Sequence, residues 1–240
     1  MKEQARPHSI EEELLRCRVK PEERLPARSI IVQLSGRSFD ALLDAPTAER
    51  PFDPSFAKSM VKTLSYLAWW WQSPFGFADR TTLSMLLPTQ RGGAHKFIEF
   101  LSSVAAARLA LFTGRILTFD CMLFCPEDGG LAVDYFCRRQ QLCSDTAVER
   151  YLRHVLEQSG AQSDAVPHIV DGLGVEEKVE LLRQKGVDFD QLPEWQTHGV
   201  CVRTVPESTA GDATTRLTVD LKLPFDGAFR KYVRSACGPG

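Results

Sequence analysis

The sequence predicts an α+β fold: an antiparallel sheet backed by two helices, followed by a helical region. Three observations lead there. Apolar stretches with strand character recur at ARSIIVQL (27–34), FGFAD (75–79), TTLSMLLP (81–88) and ILTFDCMLFC (116–125). Two longer stretches, 53–72 and 95–113, space their apolar side chains at a helical period. Their order, β-α-β-β-α-β across residues 28–125, is that of the ferredoxin-like split βαβ unit.

Residues 1–27 read as a polar extension punctuated by prolines, with one short helical stretch at IEEELLRCR. The first strand loses its apolar run at Ser35-Gly36-Arg37. The first long helix opens on Asp53-Pro54, an N-cap followed by a first-turn proline, and carries Phe56, Met60, Leu64, Leu67 and Trp71. Two short strands then flank Asp79-Arg80. The second long helix presents Phe97, Leu101, Val104, Ala105 and Phe112 and stops near Gly114. After the fourth strand, Pro126 and Gly129-Gly130 predict a turn. Residues 134–158 and 175–185 read as helices, the second closed by Gly186, and 214–222 alternates like an edge strand. The segment 205–213 is expected to be a disordered loop. The organisation expected is an extension at 1–27, the split βαβ unit at 28–133 and a helical region at 134–240 packed on it.

Of the 240 residues, 43 % are hydrophobic and 25 % charged, which suits one globular core. A net charge of −2 excludes nucleic-acid binding through overall charge and leaves room only for a local basic patch. The apolar runs are far shorter than the ~18–20 residues that cross a bilayer. The opening MKEQARPHSIEEE has no apolar signal run, so a cytoplasmic protein without membrane contact is expected.

Seven scattered cysteines predict reduced thiols. Cys121 and Cys125 lie four residues, or about 13 Å, apart on a strand, which disfavours a shared zinc ion. No histidine is placed as a ligand. The run Trp69-Trp70-Trp71 cannot face a single core, because helical neighbours point ~100° apart. One or two of these rings are expected to meet a second layer or a subunit, with stacking on bases as the alternative use.

Motif by motif, residues 25–204 resemble the tRNA-histidine guanylyltransferase family of 3′–5′ polymerases. The family's Asp-Gly-Arg before a Phe corresponds to Ser35-Gly36-Arg37 with Phe39. Its Lys-Pro-Phe/Asn-Asp corresponds to Arg50-Pro51-Phe52-Asp53, and its Ser-Asp-Glu hairpin to Ala78-Asp79-Arg80. A helix with a leading lysine is matched at Lys96, and a Phe-Asp strand at Phe119-Asp120. The Tyr-Phe-x-Trp-Arg-Gln segment is matched at Tyr135, Phe136, Arg138, Arg139 and Gln140. The longest match is EKVELLRQKGVDFDQLPEWQTHG, through Lys178, Glu180, Leu181, Leu182, Gly186, Phe189, Leu192, Pro193, Trp195 and Gln196.

The resemblance implies a polymerase palm that adds a nucleotide to the 5′ end of a tRNA. Two Mg²⁺ ions would be held by the first Asp, the neighbouring Gly carbonyl and the hairpin Asp, with the adjacent Glu in support. Here those positions read Ser35, Gly36, Asp79 and Arg80, so Asp79 and, weakly, Gly36 are the remaining metal candidates. A serine is a poor Mg²⁺ ligand and a guanidinium repels the ion.

Arginines before the lysine are replaced by Gly92-Gly93, and an Arg-Asn pair by Asp145-Thr146. Gly36, Arg37, Arg50, Lys96, Arg139 and Lys178 remain as candidates to bind GTP or ATP, and Arg80 could clamp a triphosphate in place of a metal. The expected protein is a catalytically impaired homologue that binds nucleotide or RNA, such as a tRNA. Assembly is expected as a homo-oligomer or as a hetero-oligomer with an active paralogue. The alternatives are an active Mg²⁺-dependent enzyme that recruits Asp40 or Asp120, and a purely structural interaction protein.

Overall fold

The computed structural model describes residues 9–43, 50–162, 164–209 and 212–237. A short helix, α1 (Ile10–Arg16), precedes β1 (Ile30–Arg37), α2 (Phe39–Leu43), α3 (Pro54–Trp70), β2 (Phe75–Ala78), β3 (Thr82–Leu87), α4 (Ala94–Thr113) and β4 (Thr118–Phe124). Then come α5 (Gly129–Gln158), α6 (Ala165–Asp171), α7 (Val175–Gln184), α8 (Glu194–Thr197), β5 (Val200–Thr209), β6 (Asp212–Asp220) and α9 (Asp226–Cys237). All neighbouring strands are antiparallel, in the order β4-β1-β3-β2-β5-β6. The first four positions are the split βαβ arrangement, so the expected fold class is the observed one.

Local chemistry sets the element ends. The Asp53 carboxylate accepts the N–H groups of Ser55 (2.8 Å) and Phe56 (3.0 Å), and Pro54 fills the first turn of α3. Helix α4 stops where Gly114 takes φ 66°, a left-handed conformation that costs glycine nothing.

Strand alternation splits the sheet into two faces. Ile30, Val32 and Leu34 of β1 join Met60, Leu64, Leu101 and Leu109 under α3 and α4. Ile31, Phe75, Phe77 and Phe124 face the other way, against Tyr135 and Phe136 of α5 and Phe229 and Val233 of α9. The molecule is therefore helix–sheet–helix. A third cluster joins the far half of α5 to α6 and α7 through Val148, Leu152, Val170 and Leu182.

The region after residue 133 differs from expectation. Helix α5 is continuous from Gly129, across the boundary placed at 133/134. The chain then returns to the sheet, where β5 pairs with β2 and β6 with β5, giving six strands. The expected edge strand is β6. Residues 205–209, expected as loop, belong to β5, because the register Val205↔Arg216 to Thr209↔Asp212 pairs them with β6. Residues 210 and 211 of that loop lie outside the described residues. In the N-terminal extension, Val19 and Leu25 are buried and Arg18 bridges to Phe124, which ties residues 17–25 to the sheet edge.

Trp71 packs on Phe97 (4.6 Å between ring centroids) and Phe100 (5.7 Å), whereas Trp69 and Trp70 are 57 % and 52 % exposed. Among the described residues no helix is long and apolar enough to cross a membrane.

Candidate functional site

Along β1 the face toward α5 changes from apolar to polar: Ile31 is core, Gln33 and Ser35 are half-buried, and Arg37 is exposed. Ser35 pairs with Thr82 of β3 on one side and Asp120 of β4 on the other. The Gly36 N–H donates to the Thr81 carbonyl (2.8 Å), and the Asp79 N–H donates to the Thr82 carbonyl (3.0 Å). The β2–β3 turn therefore lies against the end of β1, and Ser35, Gly36, Asp79 and Arg80 come together there. Gly36 is required by packing, since a Cβ would stand 2.3 Å from the Phe39 ring.

The Asp79 carboxylate is fully engaged. Its Oδ1 accepts the N–H groups of Thr81 (3.0 Å) and Thr82 (2.8 Å), which closes the turn. Its Oδ2 accepts from Nη2 of Arg139 on α5. Only 9 % of the Asp79 side chain and 15 % of Arg139 are exposed, so the pair is largely withdrawn from water. Burial works against the Arg139 charge, but Asp79 outweighs it and raises the guanidinium pKa.

Ser35 ends a relay. The Tyr135 hydroxyl donates to Gln33 Oε1 (2.9 Å), and Gln33 Nε2 donates to Ser35 Oγ (3.1 Å). With its one proton committed, Tyr135 takes its second contact, Ser84 Oγ at 2.8 Å, as acceptor. Burial raises the Tyr135 pKa and keeps the phenol neutral. Ser35 Oγ accepts the Gln33 bond and still has one proton to donate and one further lone pair.

Asp120 is the acid facing Ser35 across the strands, and it is held by Arg37, whose Nε lies 3.2 Å from Oδ2. Both side chains are more than half exposed. The side chain of Asp40 lies outside the described residues.

These groups do not fit Mg²⁺. The ion wants several free carboxylate oxygens, but both oxygens of Asp79 are taken and Asp120 is paired. Ser35 offers a donor. Among the described residues no group of three acid, histidine or cysteine side chains could hold a metal.

Other candidates lie away from this point. Lys178 is buried and its Nζ bonds Glu149 Oε1 at 2.6 Å. Glu149 is ten residues past Arg139 on α5, about 15 Å along the helix. Arg50 reaches Glu157 (2.8 Å), about 27 Å along the same axis. Lys96 is exposed in the first turn of α4, at the opposite strand end, about 17 Å along β3.

The longest sequence match builds scaffold. Phe52 and Trp195 meet at 6.2 Å, Phe52 and Tyr151 at 5.7 Å, and Tyr151 donates to Gln196. Beside Asp79 these residues leave only about 30 Å³, lined by Phe52, Asp79, Arg80, Cys143, Trp195 and Gln196. That is room for about one water. A second cleft between α2, α3 and the end of α4 holds about 200 Å³, below the ~300–1,000 Å³ that encloses most small ligands.

The sequence motifs did not expose the Arg139–Asp79 pair or the Tyr135 relay. The relay did have a signal: Gln33, Ser35 and Arg37 are polar at every second position of an otherwise apolar strand.

The sheet is thus a split βαβ unit with polar side chains gathered where β1 ends and the β2–β3 turn begins. Solved structures share this fold. A bacterial tRNA(His) guanylyltransferase-like protein in complex with GTP aligns with a TM-score of 0.70 at 21 % identity, over 90 % of this chain and 93 % of the other. Its complex with ATP aligns at 0.69 with the same identity and coverage. The tRNA(His) guanylyltransferase of Saccharomyces cerevisiae aligns at 0.66 and 18 % identity, over 75 % of this chain and 86 % of the other. At these identities the likeness establishes a common fold. No protein-family model and no curated protein sequence matches the chain.

Proposed function

We propose that this chain is a divergent member of the guanylyltransferase-like palm proteins that binds nucleotide or RNA with little or no two-metal catalysis, alone or as the partner subunit of an active paralogue. The observation that carries this reading is the occupancy of Asp79. Asp79, the retained acid of the metal positions that the resemblance implies, spends Oδ1 on the hairpin and Oδ2 on Arg139, so a cation would have to displace a guanidinium. The ligand class comes from the related structures, one seen with GTP and with ATP and described, like the yeast enzyme, by its relation to tRNA(His). Arg37, Arg80 and the Ser35 hydroxyl would meet phosphate oxygens, since donors and positive charge suit an anion as they disfavour Mg²⁺.

The test is calorimetric titration with GTP and ATP, with and without Mg²⁺. Nucleotide binding that does not need the metal is expected, together with no Mg²⁺-dependent addition of GTP to a tRNA 5′ end. The double change Ser35→Asp with Arg80→Glu should make nucleotide binding Mg²⁺-dependent before it restores any rate. Two Mg²⁺ bound by the unaltered chain in the presence of nucleotide would overturn the proposal.

A further inference from the structure

The outer surface of α3 and α4, on the side of the sheet away from Asp79, carries a row of alternating rings and cations that the site does not use. Trp69 and Trp70 lie 6.2 Å apart, and both contact Tyr66, at 6.2 and 5.9 Å. The Arg108 guanidinium sits 4.2 Å over the Tyr66 ring and 5.2 Å over Phe112, and Lys62 Nζ lies 5.0 Å over Phe112 from the other helix. Arg108 Nε is buried without a hydrogen-bond partner. The two helices carry four basic side chains, Lys58, Lys62, Lys96 and Arg108, against one acid, Glu99, in a chain of net charge −2. From Lys58 to Trp70 the row extends about 18 Å along α3.

We infer that this face is a docking surface for an unpaired RNA strand, with bases stacking on Trp69 and Trp70 and phosphates meeting Lys58, Lys62 and Arg108. The inference rests on the RNA-binding part of the function proposed above. Stacking rings interleaved with cations are what an unpaired strand requires, since every base has a π face and every linkage a negative charge. The rings and cations already hold one another, so little side-chain freedom is lost on binding.

Charge decides between this partner and the others. A second copy of the chain packed about a two-fold axis would set the same basic face against itself. A lipid surface favours an apolar centre with cations at the rim, whereas here Arg108 lies in the middle of the row, between Tyr66 and Phe112.

The experiment is fluorescence titration of the full chain with a short oligouridylate strand over a range of salt. Binding should quench tryptophan emission and weaken as salt rises. Trp69→Ala and Trp70→Ala should each lower affinity about fivefold or more, and Trp69→Phe, which keeps a ring, should lose much less. Lys62→Ala should flatten the salt dependence by about one unit of log–log slope. Both tryptophans are exposed, so unchanged thermal unfolding of the variants is the control for folding.

The inference fails if RNA binds equally well to the tryptophan variants. It fails if the face instead binds phosphatidylserine–phosphatidylcholine vesicles and no RNA, or if Trp69→Ala dissolves a homodimer that does not bind RNA. None of these results touches the nucleotide titration, which decides the function proposed for the Ser35–Asp79 site separately.

Discussion

Replacing Arg139 by Met would leave the Asp79 carboxylate, 9 % exposed, without its counter-charge. Breaking one side of a buried pair costs ~3–5 kcal/mol, because the remaining charge has neither partner nor water. Here Asp79 keeps two backbone N–H donors and sits at the edge of solvent, so the loss falls below that range, at about 2–3 kcal/mol. At roughly 2–4 °C per kcal/mol for a chain of this size, Tm should fall by about 4–12 °C. Asp79→Asn keeps an oxygen for the hairpin but strands the buried guanidinium, and should cost about 1–3 kcal/mol. The double variant removes both charges and should be more stable than the sum of the two losses predicts by about 1 kcal/mol or more. Urea unfolding of all four proteins, with slopes compared to exclude a changed denatured state, measures the coupling. If the two losses add within about 0.5 kcal/mol, the pair does not form in solution and the argument that Asp79 is closed to a cation collapses.

Three further measurements bear on the fold. Trp71→Ala should cost about 2–3 kcal/mol, because that ring packs on Phe97 and Phe100, while Trp69→Ala should stay within about 0.5 kcal/mol; equal losses would mean the helix is rotated. Burial pushes the Cys121 thiol up to about 12 and that of Cys125 to about 11, so both should resist alkylation at pH 8 until denaturant is added, and rapid native labelling would contradict the packing of β4. At the end of β6, burial would raise the Asp220 carboxyl, but bonds from Tyr232 and from Arg203 (2.7 Å) outweigh it and hold it below the usual range. Its stabilising contribution is therefore full above about pH 4 and fades as pH falls through the folded value. The stability gap between the unaltered chain and Asp220→Asn should narrow in acid, and a gap that widens there would reverse the assignment.

What the sequence determined on its own was whatever is written locally. Helix α3 was legible because Asp53, Pro54 and the spacing of Phe56, Met60, Leu64 and Leu67 are all properties of one continuous segment. The β2–β3 turn and the end of α4 at Gly114 were legible for the same reason. The motif order located Ser35, Gly36, Asp79 and Arg80, which the structure brings together where β1 meets the β2–β3 turn.

Tertiary structure alone decided what fills the gap. Arg139 stands 60 residues from Asp79, and nothing in either segment states that α5 crosses the sheet at the height of the hairpin. The side of the protein that Lys178, Arg50 and Lys96 serve was hidden likewise, because a basic residue reads the same whether it meets a phosphate or, as Lys178 does, a glutamate on the next helix. The addition of β5 and β6 to the sheet was also hidden, since strand pairing is a contact between distant segments. Local sequence sets dihedral preferences and amphipathic faces over one or two turns. Which charges neutralise one another depends on distances across the packed layers, and those exist only after the chain has folded.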